Sequence, residues 1–391
     1  MGSQKKSQKK LHALPVSCKG KRVLIRADFD VAMKNGRIVD DFRIRKVVPT
    51  IRQCLKRGAR VRIIAHLGRP NGKRDPSLTL KPVARHLERV LKKKVFFVSD
   101  PFRKSLRERI DSSERLILFE NIRYWAEEEH NDRHFAALLA QWGDLYVNEA
   151  FAAHRAHASV VALARQLPAY MGPSFHDEIT YLGIVRDHPK HPFVVILGGA
   201  KLEIKLPLLR RFLTTADSVL IGGLLANTIF VARGVQIGKS KSDRDSGVAS
   251  LEFLRNKKLH VPDDVVVVKM LQGSARRTSK TLGEVDHDDY IVDIGYQSIG
   301  AFSSLLKHAA TIVWNGPLGY TEVPEFTKGT KMLAQAIART KALSVVGGGD
   351  TIAAVGADTL GRAFTHVSAG GGAMLEFLSG KKLPALEALK W

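Results

Sequence analysis

Cysteine is scarce in this chain: Cys18 and Cys54 are the only two in 391 residues. Two cysteines exclude a disulfide framework and point to a reducing compartment. Long apolar runs are missing as well. Stretches such as Phe193–Leu197 fall far short of the roughly 20 residues that a membrane-spanning helix needs. The N-terminal region has no apolar core of a signal peptide, and Lys6 stands where a myristoylation pattern requires Ser or Thr. A soluble, cytoplasmic protein with no membrane partner is expected. No G-x-x-x-x-G-K-S/T segment occurs, which excludes the P-loop class at the motif level, and there is no G-x-S-x-G or Ser-His-Asp order of a hydrolase. His154 and His157 stand three apart with no third ligand in sight, which does not make a metal site.

Acidic residues are also in deficit. Lys and Arg number 62 against 38 Asp and Glu, leaving a formal charge of +24. That excess favours anionic partners such as phosphorylated metabolites and nucleotides. The basic residues are mostly dispersed, with short runs at Lys5–Lys10 and Lys92–Lys94, and no aromatic RNA-binding signature accompanies them. Specific nucleic-acid recognition is therefore not expected, although weak non-specific adhesion to polyanions is.

What the chain does contain is a repeated grammar: a short β-rich run, a glycine- or charge-bearing loop, then a helical stretch. The first-half runs are Arg22–Arg26, Val61–Ala65, Val95–Val98, Leu116–Phe119 and Asp144–Val147. The second-half runs are Phe193–Leu197, Ser218–Ile221, Asp264–Val268, Tyr290–Asp293, Thr311–Trp314 and Leu343–Val346. Continuous apolar strands alternating with helices indicate parallel sheets covered on both faces. Two doubly wound, Rossmann-like αβα domains of about six mainly parallel strands each are expected. The expected boundaries are a disordered basic tail at 1–10, a first domain at 11–170, a hinge helix at 171–188 and a second domain at 189–368. A closing segment, 369–391, is expected to return to the first domain.

The loops after these runs hold the chemistry, because ligands of open parallel sheets bind at the carboxyl ends of the strands. In the first half they bring Asp28, Asp30, Arg43, His66, Arg69, Arg123 and Arg155. Guanidinium forks bind carboxylates and phosphates bidentately, so such a cluster suits a compact, multiply charged substrate. In the second half the loops are glycine-rich, at Gly198–Gly199, Gly222–Gly223, Gly316–Gly319 and Gly347–Gly349, which lets backbone approach phosphates or a flat base. Lys201 and Lys205 share a helix face, Asp350 is placed to hold Mg²⁺, and Gly370–Gly372 precede a helix N-terminus suited to an anion. Trp314 is expected in the core. Jointly these features read as a kinase that passes a phosphoryl group between a nucleotide and a small anionic metabolite.

The segments DFD at 28–30, DDFRIR at 40–45, HLGRP at 66–70, ENIRYWAEEE at 120–129 and HRAHAS at 154–159 resemble phosphoglycerate kinases. So do GGAK at 198–201, ANT at 226–228, WNGPLG at 314–319, GGGDT at 347–351 and HVSAGGGAMLEFLSGKKLP at 366–384. The resemblance runs over about residues 20–389 in the family's order. It implies reversible transfer of the acyl phosphate of 1,3-bisphosphoglycerate to Mg-ADP, giving 3-phosphoglycerate and ATP. It implies that Asp28, Phe29, Asp30, Arg43, His66, Leu67, Gly68, Arg69, Arg123 and Arg155 bind the phosphoglycerate. It implies nucleotide binding by Gly199, Lys201, Lys205, Gly222, Gly223, Asn315, Pro317, Glu322 and the run Gly347, Gly348, Gly349, Asp350 and Thr351, with Asp350 serving Mg²⁺. Arg43, Lys201, Gly371 and Gly372 would steady the phosphoryl in flight. A monomer closing about a hinge is implied too.

Some positions depart from the family pattern. Asp30 stands for the usual Asn, Ala32 for Pro, Glu149 for Asp, Leu224 for a third glycine and Ala369 for Thr. Ile204 precedes Lys205 where Asp is common, and FAAHRAH is one residue shorter than the usual segment. Asp30 sets an extra carboxylate against an anionic substrate. Two other readings follow from this and from the +24 charge: a weakened relative kept as an anion- or RNA-binding protein, and a kinase for another carboxylate.

Overall fold

A computed structural model describes residues 18–390 apart from 104, 106–109, 111, 112, 201 and 244–251. The tail expected at 1–10 and the lysine at 201 lie outside the described residues. The chain divides into two compact units. One holds the described residues up to Thr180 together with those from Lys382 onward, and the other is Tyr181–Lys381. The division falls inside one helix, and the chain rejoins the first unit at 382 rather than at 369.

The first unit is built on six parallel strands: β1 (Arg22–Arg26), β2 (Arg60–Ile64), β3 (Phe96–Val98), β4 (Leu116–Phe119), β5 (Leu145–Asn148) and β6 (Ala169–Met171). Their order across the sheet is β3-β4-β2-β1-β5-β6, with every pair parallel. β1, β4 and β5 are buried almost end to end, as strands covered on both faces must be. Helices α1 (Phe42–Lys56) and α2 (Lys81–Leu91) cover one face through Ile44, Val47, Ile51, Val83 and Leu87, which join Val23, Ile25, Val61 and Ile63 in one core. Helix α3 (Arg133–Ala140) is capped by Asp132, whose side chain accepts from the N–H of Phe135 at 2.7 Å. Such a cap contributes on the order of 1 kcal/mol. β6 has only three residues at a sheet edge, and its Ala-Tyr-Met text is too short to signal a strand. Helix α4 (Pro173–Asp187) follows it.

The second unit has its own six-stranded parallel sheet, made from β7 (Phe193–Leu197), β8 (Ser218–Ile221), β9 (Leu259–His260), β13 (Thr311–Asn315), β14 (Leu343–Gly347) and β15 (His366–Ser368) in the order β9-β8-β7-β13-β14-β15. Two runs expected in this sheet lie elsewhere. β10 (Asp264–Val268) and β12 (Tyr290–Ile294) flank one another antiparallel, with β11 (Thr278–Thr281) on the other side of β10, in a separate three-stranded sheet. An apolar run reports burial but not strand direction, and the polar text of β11, TSKT, gives no sign of a partner. Helices α5 (Leu202–Thr215), α6 (Gly223–Ala232), α7 (Tyr296–Lys307), α8 (Lys328–Ile337), α9 (Gly349–Val355), α10 (Ala357–Ala363) and α11 (Gly372–Leu378) accompany the sheets, and α12 (Pro384–Ala388) belongs to the first unit. Trp314 sits fully buried in the core with Ile312, Val346 and Leu333. Among the described residues no helix is long and apolar enough to cross a membrane.

Candidate active site

In the first sheet the strand order reverses between β1 and β5, and the loops leaving the strand ends there and at neighbouring β2 and β4 interlock. After β1, Phe29 is fully buried and fixes the loop in the core. Arg43, in the first turn of α1, reaches Asp28 at 3.1 Å. Burial pushes the Asp28 carboxyl up, the Arg43 charge opposes that shift, and Asp28 in turn holds the Arg43 guanidinium more firmly charged. Asp30 accepts from the N–H of Gly68 at 2.8 Å, and Arg123 donates to the carbonyl of the same glycine at 2.8 Å. Three successive strand-end loops are thus tied together at Gly68, whose φ of +61° suits glycine. Asn121 adds a bond to the Leu67 carbonyl at 2.7 Å.

Beneath these loops lies a buried polar chain that the sequence did not disclose. Arg26, with no exposed surface, donates through Nε to Ser159 Oγ at 2.8 Å and through Nη1 to the carbonyl of Ala27 at 2.6 Å. Its third contact is with His66 Nδ1 at 3.0 Å. Ser159 gives both its hydroxyl (2.6 Å) and its N–H (2.8 Å) to the buried carboxylate of Glu128. Desolvation, helped by Arg26 and Arg123, drives the His66 pKa well below the ordinary histidine range. His157, also buried, is brought down to about 4, by burial first and then by Arg123 and Arg26. Both imidazoles are therefore neutral near pH 7, and the positive charge of the basin comes from arginines alone. Arg69 and Arg155 are exposed, and Arg155 lies near enough to His157 to depress its pKa. Phe29 and Leu67 are buried, so only their backbone can reach a ligand.

In the second unit the strand order reverses between β7 and β13, and a pocket of about 360 Å³ opens beside their ends. That volume is in the range of small-ligand sites. Gly199, Gly223, Pro317, Glu322 and Asp350 line it, as does Leu224. The glycines do not offer their N–H groups to the pocket. Gly199 donates to Pro317 O at 2.7 Å, Gly223 to Leu318 O at 2.8 Å, Gly222 to Leu197 O at 3.0 Å and Gly198 to Asn315 O at 3.0 Å. Their small size instead lets the loops after β7, β8 and β13 pack backbone on backbone: a Cβ on Gly223, at φ +59°, would meet the Gly199 nitrogen at 2.6 Å. Lys205 is buried, and its ammonium donates to the carbonyls of Gly198 and, at 2.8 Å, Ala200. Thr351 accepts from the Gly316 N–H at 2.8 Å, which joins the loop after β13 to α9. Asn315 is buried beside Gly348.

Gly348, at φ +99°, turns the chain from β14 into α9, so that the exposed Asp350 stands in the first turn of that helix at the pocket. Gly371, at φ +50°, plays the same part ahead of α11. First-turn N–H groups of a helix have no intrahelical acceptor, which applies to Gly349 and Gly372. Part of the pocket wall comes from the antiparallel sheet and α6: Tyr290, Val292 and Phe230, beside Asn227 of the ANT segment, with Lys239 and Lys241 at the edge. Apart from Asn227, these residues fall in none of the motifs of the sequence.

A guanidinium basin on one doubly wound sheet and a nucleotide-sized pocket on another define a phosphotransferase. The comparisons agree. The family model for phosphoglycerate kinase matches residues 14–381. A protein named phosphoglycerate kinase from Dictyoglomus turgidum is 42% identical over 381 residues, covering 95% of this chain and 96% of its own. One from Methylorubrum extorquens is 43% identical over 383 residues, with the same coverage. Among solved structures, phosphoglycerate kinase from Coxiella burnetii superposes with a TM-score of 0.82 at 38% identity, and that from Pyrococcus horikoshii with 0.85 at 33%. Each covers 96% of this chain and 97% of its own. The chain belongs to the phosphoglycerate kinase family.

Proposed function

We propose that this chain transfers the acyl phosphate of 1,3-bisphosphoglycerate to ADP, reversibly, as a cytoplasmic monomer. The observation that carries the reading is the basin at Gly68: Arg43 and Arg123, with the exposed Arg69 and Arg155 on the same strand-end loops, stand over two neutral histidines, and Asp28, Asp30 and Glu129 offset only part of their charge, Arg26 below being balanced by Glu128. Guanidinium forks so placed suit a compact anion with phosphate and carboxylate ends. Arg43, Arg69, Arg123 and Arg155 would hold the phosphate and carboxyl ends, while His66 donates from Nε2 without adding charge.

The bond between the acyl oxygen and phosphorus breaks, a bond from phosphorus to a terminal phosphate oxygen of ADP forms, and the carboxylate of 3-phosphoglycerate departs. The attacking oxygen is already deprotonated, so no general base is required, and catalysis rests on positioning and charge stabilisation. Gly371 and Gly372 offer N–H groups, and Lys205 holds the loop after β7 in shape. Asp350 fits a magnesium site: an exposed carboxylate facing the pocket, to be joined by phosphate oxygens and water as Mg²⁺ prefers. The metal would neutralise charge on the nucleotide phosphates.

The test is ATP consumption with 3-phosphoglycerate and Mg²⁺ in a coupled assay, beside Arg43→Ala. Turnover that falls at least about 100-fold in the variant, with its fold intact by circular dichroism, is the expected result. No turnover by a folded wild-type chain that still binds Mg-ATP would overturn the reading.

A further inference from the structure

Helix α1 presents two cationic faces. Arg43 belongs to the basin, whereas Arg45, Pro49, Arg52 and Lys56 lie about 180–240° round the helix from it, at 3.6 residues per turn. This second face borders α2, and between the two helices runs an open groove of about 530 Å³ lined by Arg45, Val48, Pro49, Arg52, His86, Arg89 and Val90. No carboxylate is among the described residues that line it. The nearby acids are engaged: Asp41 accepts from Arg45 Nε at 2.7 Å and from His86 Nε2 at 2.8 Å, and Glu88 accepts from the N–H of Val95 at 3.0 Å. The three exposed guanidiniums are each tethered by one edge. Arg45 is held by Asp41, Arg52 by the Val90 carbonyl at 2.8 Å, and Arg89 by His86 Nδ1 at 3.4 Å. Each keeps further N–H groups for a ligand, already oriented. Pro49 separates Arg45 from Arg52 without filling the space between them, and those two stand about 10 Å apart along the helix axis.

We propose that this groove is a binding site for a linear oligophosphate anion, distinct from the catalytic basin. Arginine forks on both walls match successive phosphate groups bidentately. No Phe, Tyr or Trp lines the groove to stack a base, and the His86 ring is held edge-on between Asp41 and Arg89, which favours a bare phosphate chain over a nucleic-acid strand. No large apolar residue is exposed on this face either: the exposed ones, Val39, Ile204, Met270, Leu271 and Tyr296, lie outside the groove, so nothing here inserts into a lipid surface. Lys56 on α1 and Arg85 on α2 extend the cationic track beyond the groove.

The experiment is isothermal titration of the full chain with inorganic tripolyphosphate at low and moderate salt. It compares the wild type, Arg43→Ala and the double variant Arg52→Gln/Arg89→Gln. The expected result is a salt-weakened binding event, beyond any at the basin or the nucleotide pocket, that persists in Arg43→Ala and with the pocket saturated by ADP, and falls at least about tenfold in the double variant. Turnover and melting temperature of the double variant should remain those of the wild type. Equal stoichiometry and affinity in the wild type and the double variant would overturn the proposal. So would loss of the event in Arg43→Ala alone, which would place the anion in the basin. Tighter binding of a single-stranded RNA of matched charge than of a polyphosphate chain would overturn the choice of ligand.

Discussion

Arg26 donates to Nδ1 of His66 across 3.0 Å, beneath the loops that meet at Gly68. A guanidinium has no acceptor, so Nδ1 must carry the lone pair and the imidazole proton must sit on Nε2. That atom looks toward Asp30, 3.8 Å away. A residue with no exposed surface thereby fixes the tautomer of one at the site.

Removing Arg26 should be costly to the fold. Its charge compensates Glu128 through the shared Ser159 hydroxyl, and a buried charge left without its counterpart destabilises by about 3–5 kcal/mol. Arg26→Met is expected to lower the urea-unfolding free energy by that amount, and the added change Glu128→Gln to restore part of it. If the second change restores nothing, the two charges are not coupled.

Asp30 offers a cleaner test of electrostatics. Asn in its place keeps the oxygen that accepts from Gly68 and removes only the charge. The side chain is 40% exposed, so water screens it, and at contact range such a charge repels an anion by about 1 kcal/mol. Asp30→Asn should lower the KM for 3-phosphoglycerate about fivefold with little change in kcat. An unchanged or raised KM would mean that the arginines already cancel the carboxylate.

The strands of the two parallel sheets were largely legible, because continuous apolar runs such as FVVIL and LILF admit few alternatives. Their short edge partners, β9 with two residues and β15 with three, are too brief to announce themselves. The glycine-rich loops misled in part. Their composition suggests phosphate cradles, whereas Gly198, Gly199, Gly222 and Gly223 give their N–H groups to backbone carbonyls and serve close packing. Arg26 and Glu128 were illegible for another reason: a charge inside a strand or short helix declares its burial only once the neighbours are known.

Stability should also depend on pH through Glu149. Its carboxyl accepts from Thr50 Oγ1 and from the N–H of Phe175 at 3.0 Å, near the start of α4, and burial pushes it up to about 7. The folded chain then keeps a proton that the unfolded chain releases above its ordinary value of 4.5. The contribution to stability is full at the acidic end and is lost as pH rises to about 7. At roughly 1.4 kcal/mol per unit it amounts to at most about 3.5 kcal/mol. Glu149→Gln cannot titrate, so its melting temperature relative to wild type should rise from pH 5 to pH 8. A constant difference would show that the carboxyl titrates as in the unfolded chain.

Asp350→Asn removes the one pocket carboxylate proposed for the metal. The Mg²⁺ concentration that gives half-maximal turnover should rise about tenfold or more, the scale on which a lost charged ligand group acts. Binding of metal-free ADP should hardly change, since an exposed carboxylate makes no favourable contact with phosphate. Equal loss of both would assign Asp350 to the nucleotide itself.

The first unit takes its closing piece from the far end of the chain. Leu383, Ala385, Leu386, Ala388 and Leu389 are buried in it, with α12 packed on the turn Ala158–Ala162. During synthesis the sheet of that unit is made first, yet its apolar flank stays uncovered while some 200 further residues are translated. The second unit has no such debt, since its chain is continuous and can fold as it leaves the ribosome. The half of the protein that is born first is therefore the half that is finished last, and it is there that a nascent chain has most need of a chaperone.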